Sequence, residues 1–382
     1  MTERMEQTFK ELTEANNEEN RAKWAKEWRK QGREVIGLLC TYVPEELIFA
    51  AGMLPWRISG TWRESTPHAL VYRISTSCRF CNHALEALLA GDLDFLNGVV
   101  STNLDDDIKC LWDVWDYLGK GEFRHIIHLP HKSGGLALRL WTRSVSQLKR
   151  AIEQYSGQKL TDEKIFEAIT VYNRTRALLG QLYQLRKRKV PPLSGAEMLG
   201  VTTASMVMPK DEFNRRLEEL LPYLDDRKAP LKAVRPRLLV SSDMLDNPDY
   251  IKLAEDSGSF VAMDDLDTGS RYFLNCVDLS LGDPILALAS RYLNKPESPR
   301  MLNWDKQVDR VIDWVREFEI DGVLDMPLMC SFPREYMRLY YSTRLKAAGV
   351  PNISVKREYH FANSEQLRTR IGAFIEMLET RR

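Results

Sequence analysis

Short apolar runs of strand type alternate with helical segments along most of this chain, and this alternation constrains the fold more than any other feature. The strand-type runs form two groups, at 34–40, 54–58, 95–100 and 125–129, and at 237–241, 260–264, 322–326 and 352–355. Such alternation is typical of open parallel sheets, in which helices cover the faces and ligands bind beyond the carboxyl ends of the strands. We therefore predict an α/β protein with two open parallel-sheet domains of the flavodoxin or Rossmann type.

Helical segments precede and interrupt the predicted sheets. Residues 1–32 are densely charged and predict an N-terminal helical segment that lies on the surface or against a partner. We assign residues 33–205 to a first α/β domain and residues 206–382 to a second. Within the first, residues 136–185 carry apolar side chains at three- and four-residue spacing, which predicts a central helical excursion.

The composition excludes several classes of protein. The 54 basic and 54 acidic side chains cancel and no basic stripe stands out, so we expect no nucleic-acid partner. The charged N-terminus lacks the apolar segment of a signal peptide, and no apolar run approaches the length of a membrane span. Six cysteines in 382 residues argue against a disulfide framework. We expect a cytoplasmic protein whose thiols serve a metal site, catalysis or the core.

Three cysteine-bearing segments lie where the predicted topology brings distant residues together. They are 75–81, 105–110 and 326–332, each beside a predicted strand end or helix start. Thiolates from separate strand ends suit a soft metal centre, and iron–sulfur clusters are held by such ligands. The sequence therefore predicts part of an iron–sulfur enzyme.

Several separated motifs, in the same order along the chain, resemble those of one known family. They are the segments 37–57, 264–271, 282–289, 321–330 and 366–376. The chain resembles the 2-hydroxyacyl-CoA dehydratase and benzoyl-CoA reductase family over about residues 33–378. Within that family, its length and the neighbourhood of Cys78 are most similar to the smaller core subunit, of C type, of an ATP-dependent benzoyl-CoA reductase.

The resemblance implies a cofactor, partners and a reaction. Members pair two related core subunits that carry [4Fe–4S] clusters and bind acyl-CoA, and a separate ATP-hydrolysing iron–sulfur protein supplies single electrons. The implied activity is reductive dearomatisation of benzoyl-CoA or a substituted benzoyl-CoA. The alternatives are a subunit of an (R)-2-hydroxyacyl-CoA dehydratase and a non-catalytic structural subunit. The chain itself shows no glycine-rich phosphate loop, which agrees with ATP hydrolysis by a partner.

The resemblance also implies metal ligands. Cys78 matches the first cluster ligand of the family and Cys330 the third. Asp105 stands where the second cysteine belongs. Three interpretations remain open: Asp105 binds iron through its carboxylate, Cys81 or Cys110 substitutes, or the cluster is shared with the partner subunit.

Two glutamates lie at the head of the first helix predicted within the first α/β domain. Glu45 and Glu46 occupy the family's Pro-Glu position, where the resemblance implies proton transfer near the substrate. A carboxylate at a helix N-terminus is stabilised by the helix dipole, so simple capping is the alternative role.

Charged residues follow the predicted strand at 260–264. Arg271, with Asp264 and Asp265, lies just beyond this strand, and its guanidinium suits a CoA phosphate or a carboxylate. An internal salt-bridge cluster that shapes the loop is an equal alternative.

Other basic residues and thiols are assigned structural roles. We interpret Lys210, Arg344 and the basic run at 186–189 as solvated surface, and Cys40 and Cys276 as core residues because their surroundings are apolar.

Overall fold

Two four-stranded sheets organise the molecule in a computed structural model that describes residues 2–227 and 236–381. The first sheet contains β1 (Val35–Leu38), β2 (Leu54–Arg57), β3 (Gly98–Thr102) and β4 (Phe123–Ile127). The second contains β5 (Arg237–Ser241), β6 (Phe260–Asp265), β7 (Gly322–Asp325) and β8 (Asn352–Ser354).

Both sheets are parallel throughout, and they share one topology. The strand orders are β2-β1-β3-β4 and β6-β5-β7-β8. In each sheet the chain leaves the first strand to one side and later returns to its other side, so each has a switch point where ligands of α/β proteins bind. The prediction of an α/β protein with two open parallel sheets is confirmed, while its finer assignment to a flavodoxin or Rossmann type stays a prediction.

Fifteen α-helices connect and cover the strands in the described part of the chain. They are α1 (Thr2–Thr13), α2 (Lys23–Lys30), α3 (Glu45–Ala50), α4 (Arg79–Leu89), α5 (Asp106–Tyr117), α6 (Gly135–Ser156), α7 (Asp162–Leu185), α8 (Gly195–Val207), α9 (Lys210–Asp226), α10 (Asp249–Asp256), α11 (Ser270–Phe273), α12 (Pro284–Asn294), α13 (Trp304–Glu317), α14 (Phe332–Ala347) and α15 (Ser364–Glu379). None of these helices is long and apolar enough to cross a membrane.

The strands are apolar on both faces because helices cover both sides of each sheet. In the first sheet, Val35 and Val99 belong to one buried cluster, whereas Ile36, Leu38 and Val100 belong to another. Successive strand residues point to opposite faces, so a parallel sheet buried on both sides requires nearly continuous apolar runs. This requirement explains why the strands are recognisable in the sequence.

Helix α8 packs closely against the second sheet. A Cβ atom on Gly195 would lie 2.6 Å from the Cβ atom of Val261 in β6, so glycine permits this approach. Ser194 and Glu197 form a reciprocal capping box that fixes where the helix begins. Leu199 joins the apolar cluster of the second sheet. The predicted domain boundary at residue 205 stays a prediction.

The N-terminal helices contact the rest of this chain. Phe9 and Leu12 on α1 and Ala25 on α2 are buried in the core that includes the first sheet. Between the helices, Arg21 donates from Nη1 to the carbonyl oxygen of Gly60 at 2.7 Å. Both helices of this segment therefore lie against the chain's own core, while its assignment as a separate segment at 1–32 stays a prediction.

Candidate functional site at the strand ends

Loops at the carboxyl ends of the two sheets contact each other. Arg57 ends β2, and its Nη2 lies 3.7 Å from Sδ of Met244, which follows β5. The backbone N–H of Gly60 donates to the hydroxyl of Tyr359, beyond β8, at 2.8 Å. We call the space where these loops meet the intersheet region. It is shared by the edges at which both parallel sheets are expected to bind ligands.

Cys78 and Cys81 lie together at the N-terminus of α4. Cys78 is the N-cap residue and Cys81 follows in the first turn, and both side chains are buried. A hydrogen bond with the Cys81 thiol lowers the pKa of Cys78; burial opposes this effect and the charge of Arg300 reinforces it. Burial raises the pKa of Cys81 well above its usual value. The arrangement therefore favours one thiolate, on Cys78.

Cys330 lies in the loop between β7 and α14 and is half-buried. Its backbone is in the left-handed region, with φ of 62°, a conformation that non-glycine residues rarely adopt. Burial raises the pKa of its thiol, and Arg79 opposes that effect. The charges of Cys78 and Asp107 also act on this thiol, so the fold brings two distant cysteine segments into one neighbourhood.

Both carboxylate oxygens of Asp105 have partners within the protein. As the N-cap of α5, it accepts a hydrogen bond on Oδ1 from the backbone N–H of Ile108 at 2.8 Å. Its Oδ2 forms an ion pair with Nε of Arg300. Arg300 also lies 3.4 Å from Oδ1 of Asp243. Iron ligation by Asp105 would therefore have to replace at least one of these bonds. Cys110 is exposed.

The thiols and the carboxylate differ in how well they suit the predicted cluster. Within the ranges 2–227 and 236–381, no three histidine, cysteine, aspartate or glutamate side chains converge as ligands of a single metal ion would. Cys78, Cys81 and Cys330 have the ligand chemistry of an iron–sulfur centre. Asp105 is a harder ligand and is already bound within the protein. The thiols fit the cofactor that the sequence predicts, and the third donor stays open among the alternatives stated above.

Glu45 and Glu46 are buried in a polar group that we call the glutamate cluster. Glu46 forms an ion pair with Arg176 and accepts a hydrogen bond from the Tyr292 hydroxyl at 2.8 Å. Glu45 accepts a hydrogen bond from the Tyr272 hydroxyl at 3.0 Å. These contacts join α3 to helices α7, α11 and α12, so the two glutamates do more than cap their own helix.

Charge within the glutamate cluster keeps one carboxylate ionised. Burial raises the pKa of Glu46, but the positive charges of Arg176 and Arg291 outweigh burial and leave the pKa below its usual value. On the other side of the cluster, Nζ of Lys210 lies 3.3 Å from Oε2 of Glu45 and 2.7 Å from the Tyr272 hydroxyl. Burial lowers the pKa of this lysine.

Several sequence interpretations of polar residues are wrong. Lys210 is buried in the glutamate cluster instead of lying on a solvated surface. Arg186, in the basic run, is also buried and donates to the carbonyl oxygen of Val261. Single cations at helix ends look alike in sequence whether they face water or a buried carboxylate.

The interpretation of Cys276 as a core residue is also wrong. This residue is exposed because the loop after α11 carries it to the surface.

Arg271 lies in an internal cluster. Its side chain is fully buried and donates from Nη2 to the carbonyl oxygens of Ser242 and Asp265. Its Nε lies 3.6 Å from Oδ1 of Asp265 and 3.5 Å from Oδ1 of Asp267. These contacts are those of the internal salt-bridge alternative, and contact with CoA stays a prediction.

Asp264 fixes the loop that carries Arg271. It accepts hydrogen bonds from the backbone N–H of Ser270, at 2.8 Å, and from the Tyr183 hydroxyl. A Cβ atom on Gly269 would lie 2.1 Å from Oδ1 of Asp264, so only glycine fits beside this carboxylate.

Some residues of the intersheet region carry no local signal in the sequence. Arg300 lies in a loop between α12 and α13, and Lys295 is the C-cap residue of α12. Both side chains reach the first sheet only through tertiary folding. Arg57 is detectable because it lies within the predicted strand at 54–58 and is the last residue of the family motif at 37–57.

Comparisons with known proteins agree over nearly the whole chain. A family model, HGD-D, described as 2-hydroxyglutaryl-CoA dehydratase, D-component, matches residues 40–378. The chain is 27% identical to the C-type subunit of benzoyl-CoA reductase of Thauera aromatica over 365 residues, which cover 93% of this chain and 94% of that protein. It is 26% identical to the beta subunit of (R)-2-hydroxyglutaryl-CoA dehydratase of Acidaminococcus fermentans, covering 92% and 94% of the two chains. It is 25% identical to the (R)-phenyllactyl-CoA dehydratase beta subunit of Clostridium sporogenes, also covering 92% and 94%.

Proposed function

The chain belongs to the 2-hydroxyglutaryl-CoA dehydratase, D-component, family, and from this premise we propose that it is a core subunit of an ATP-dependent benzoyl-CoA or substituted benzoyl-CoA reductase. The family membership agrees with the resemblance recognised in the sequence. The choice of a reductase is supported by the match to a benzoyl-CoA reductase subunit over 93% of the chain. The relatives are named as subunits, which supports a heteromeric enzyme. A related second core subunit and a separate electron donor are the partners that the family resemblance implies.

The observation that carries the proposal is the buried thiol of Cys78 in the intersheet region. Cys81 and Arg300 favour its thiolate form, and Cys330 is close enough for the charges of the two thiols to interact. Cys78 and Cys330 would hold a [4Fe–4S] cluster, with Asp105, Cys81 or a partner residue as the third donor. When bound, the cluster would supply electrons one at a time to the acyl thioester.

The remaining requirement of the proposed reaction is a supply of protons. Reduction of a benzoyl thioester to a cyclohexadiene carboxyl thioester consumes two electrons and two protons. The Tyr272 and Tyr292 hydroxyls hold the protons of the glutamate cluster and donate to Glu45 and Glu46. Glu46, which Arg176 holds ionised, is suited to take up a replacement proton and return it to Tyr292 after that hydroxyl has given up its own. Because these groups are buried, their protons are kept apart from bulk water.

Two alternatives remain. A dehydratase subunit would use the same thiols and acyl-CoA, and relatives of that type match with similar identity. A non-catalytic structural subunit is favoured by one specific observation, the Arg300–Asp105 ion pair at the position of a family cysteine ligand.

Anaerobic co-expression with the second core subunit tests the proposal. Iron and acid-labile sulfide would be measured on the complex, with electron paramagnetic resonance and turnover of benzoyl-CoA and of 2-hydroxyacyl-CoA, each supplied with the ATP-driven donor. We expect a cubane signal that disappears in Cys78→Ala and Cys330→Ala and persists in Cys110→Ala, the exposed control.

The outcomes separate the three functions. Ring reduction supports the reductase, and dehydration without ring reduction supports the dehydratase. A complex that forms tightly while this chain contributes no iron would leave it as a structural subunit.

A further inference from the structure

Arg57 is a buried cation without an oxygen acceptor. Arg57 is the last residue of β2, and its side chain lies in the intersheet region. The residue is only 6% exposed. Its Nε and Nη1 atoms have no hydrogen-bond partner, and Nη2 contacts only the thioether sulfur of Met244 at 3.7 Å. Within residues 2–227 and 236–381, no carboxylate lies within 4.0 Å of the guanidinium.

Other buried arginines of the described chain each have at least one oxygen acceptor, although some of their nitrogens also lack a partner. Arg334 forms an ion pair with Asp325. Arg357 and Arg291 lack a close carboxylate but donate to backbone carbonyl oxygens, Arg357 to that of Met244 and Arg291 to that of Tyr272. Arg57 has neither kind of acceptor, and its charge acts on Cys40 and Asp267 only at longer range.

Lys295 is a second buried basic residue in the same place, and burial, followed by the charge of Arg291, lowers its pKa well below the usual value. It is 1% exposed, and its Nζ contacts the Thr41 hydroxyl at 3.0 Å and the carbonyl oxygen of Arg271 at 3.1 Å. It also lies over the ring of Tyr42, 4.3 Å from the centroid. In the described ranges, this ammonium group likewise has no carboxylate within 4.0 Å.

Both cations act on one thiol, that of Cys40, which follows β1. The positive charges of Arg57 and Lys295 counteract the rise in the Cys40 pKa that burial causes. The Cys40 sulfur accepts a hydrogen bond from the backbone N–H of Tyr42 at 3.5 Å. The hydroxyl of Thr102, at the end of β3, also lies beside this sulfur and has no oxygen or nitrogen partner. Hydrogen-bond donors from three adjacent strand ends thus meet at the switch point of the first sheet.

Unpaired buried charge is expensive for a fold. Leaving an ionised group without a partner costs several kcal/mol, and replacing it with an apolar side chain is often neutral or stabilising. A buried guanidinium with unused N–H groups is suited to bind an anionic oxygen brought by a ligand, because such charge-assisted bonds are strong where water is excluded.

We propose that Arg57, with Lys295, binds an anionic oxygen of the acyl-CoA ligand. We call these two residues the cation pair. The proposal rests on the proposed function and names the residues that would hold the substrate. The oxygen belongs either to the thioester carbonyl, on which negative charge develops during reduction or deprotonation, or to a CoA phosphate.

Thermal unfolding and ligand binding of the two-subunit complex test the proposal, with Arg57→Met and Arg57→Gln as the variants. We expect the unfolding temperature to stay equal or rise, and the affinity for benzoyl-CoA to fall by about tenfold to a hundredfold, as for loss of a charge-assisted hydrogen bond. Arg357→Met is the matched control, because a buried arginine that bonds backbone carbonyl oxygens should lower the unfolding temperature when removed.

A truncated ligand identifies the oxygen. The benzoyl thioester of N-acetylcysteamine keeps the carbonyl group and lacks every phosphate. If Arg57→Met weakens binding of both thioesters, the carbonyl oxygen is bound, and if it weakens only that of benzoyl-CoA, a phosphate is bound. Unchanged affinity for both, with a lower unfolding temperature, overturns the proposal and makes Arg57 structural.

Sulfate separates failure of this site from failure of the proposed function. If the wild-type complex binds no acyl-CoA, the proposed function fails. The cation pair is then judged by whether sulfate raises the unfolding temperature of wild type more than that of Arg57→Met. An equal response of the two proteins would overturn the anion site as well.

Discussion

Arg300 forms an ion pair with Asp105, joining the loop before α13 to the N-cap of α5 at the place where the family resemblance puts a cysteine. The guanidinium also lies beside Asp243, and its charge lowers the pKa of Cys78. The positive charge of Arg300 therefore stabilises both the Asp105 carboxylate and the nearby Cys78 thiolate. This relationship bears on which side chain serves as the third cluster donor.

Cys81→Ala should reduce the iron content of the anaerobic complex more than Asp105→Asn. The Cys81 thiol is hydrogen-bonded to that of Cys78, whereas both carboxylate oxygens of Asp105 are bound within the protein. Iron and sulfide analysis with electron paramagnetic resonance checks this. The reverse order would assign Asp105 as the ligand, and full iron in both variants would point to a donor from the partner subunit.

Asp105→Ala should destabilise the fold more than Asp105→Asn. Alanine removes the cap of α5, which costs about 1 kcal/mol. Both variants leave Arg300 without its closest carboxylate, a loss of roughly 3 kcal/mol for a buried pair, although Asp243 retains part of the interaction. Denaturant unfolding of the apo chain measures both differences. Equal stability of the two variants would show that the cap contributes nothing.

The sequence predicts the parts of this structure that depend on local pattern. Cys78, Cys330 and Asp105 are placed at strand ends and helix starts because the alternation of strands and helices alone fixes those positions. Strand β3 is predicted at 95–100 but begins at Gly98, because Phe95 packs edge-on against Trp56 before the strand starts.

Tertiary pairing is beyond the reach of local pattern. Nothing in the segment around Arg300 indicates that it meets a carboxylate 195 residues earlier in the chain. Lys210 opens a charged helix, and only the folded chain shows that its ammonium group points to Glu45. Buried cations are therefore missed or assigned to the surface, while buried thiols at strand ends are recognised.

Glu255→Gln should flatten the dependence of stability on pH. Glu255 is buried at the end of α10 and accepts hydrogen bonds from the backbone N–H groups of Gly195 and Ala196 at the start of α8. Burial is the largest influence and raises its pKa from 4.5 to about 7. Because the folded chain binds this proton more tightly than the unfolded chain, the contribution to stability is complete below pH 4.5 and is lost as pH rises through 7.

The expected size of this effect is roughly 3 kcal/mol between the two limits, since each unit of pKa difference corresponds to about 1.4 kcal/mol. Urea unfolding of wild type and Glu255→Gln at several pH values between 5 and 8 measures it. A difference between the two proteins that stays constant with pH would contradict the raised pKa of Glu255.

Stability and turnover should respond differently when the Glu46–Arg176 ion pair is removed as a unit. Glu46→Leu alone leaves Arg176 buried and unpaired, and breaking such a pair costs about 3–5 kcal/mol. The double variant Glu46→Leu with Arg176→Met removes both charges, and apolar replacements of a buried pair are often neutral. We therefore expect the double variant to recover most of the lost unfolding free energy.

If Glu46 accepts a proton in the reaction, turnover by the complex stays low in the double variant although its stability returns. Recovery of both stability and turnover would limit this carboxylate to a structural role, and the alternative of helix capping and packing would then hold for Glu46.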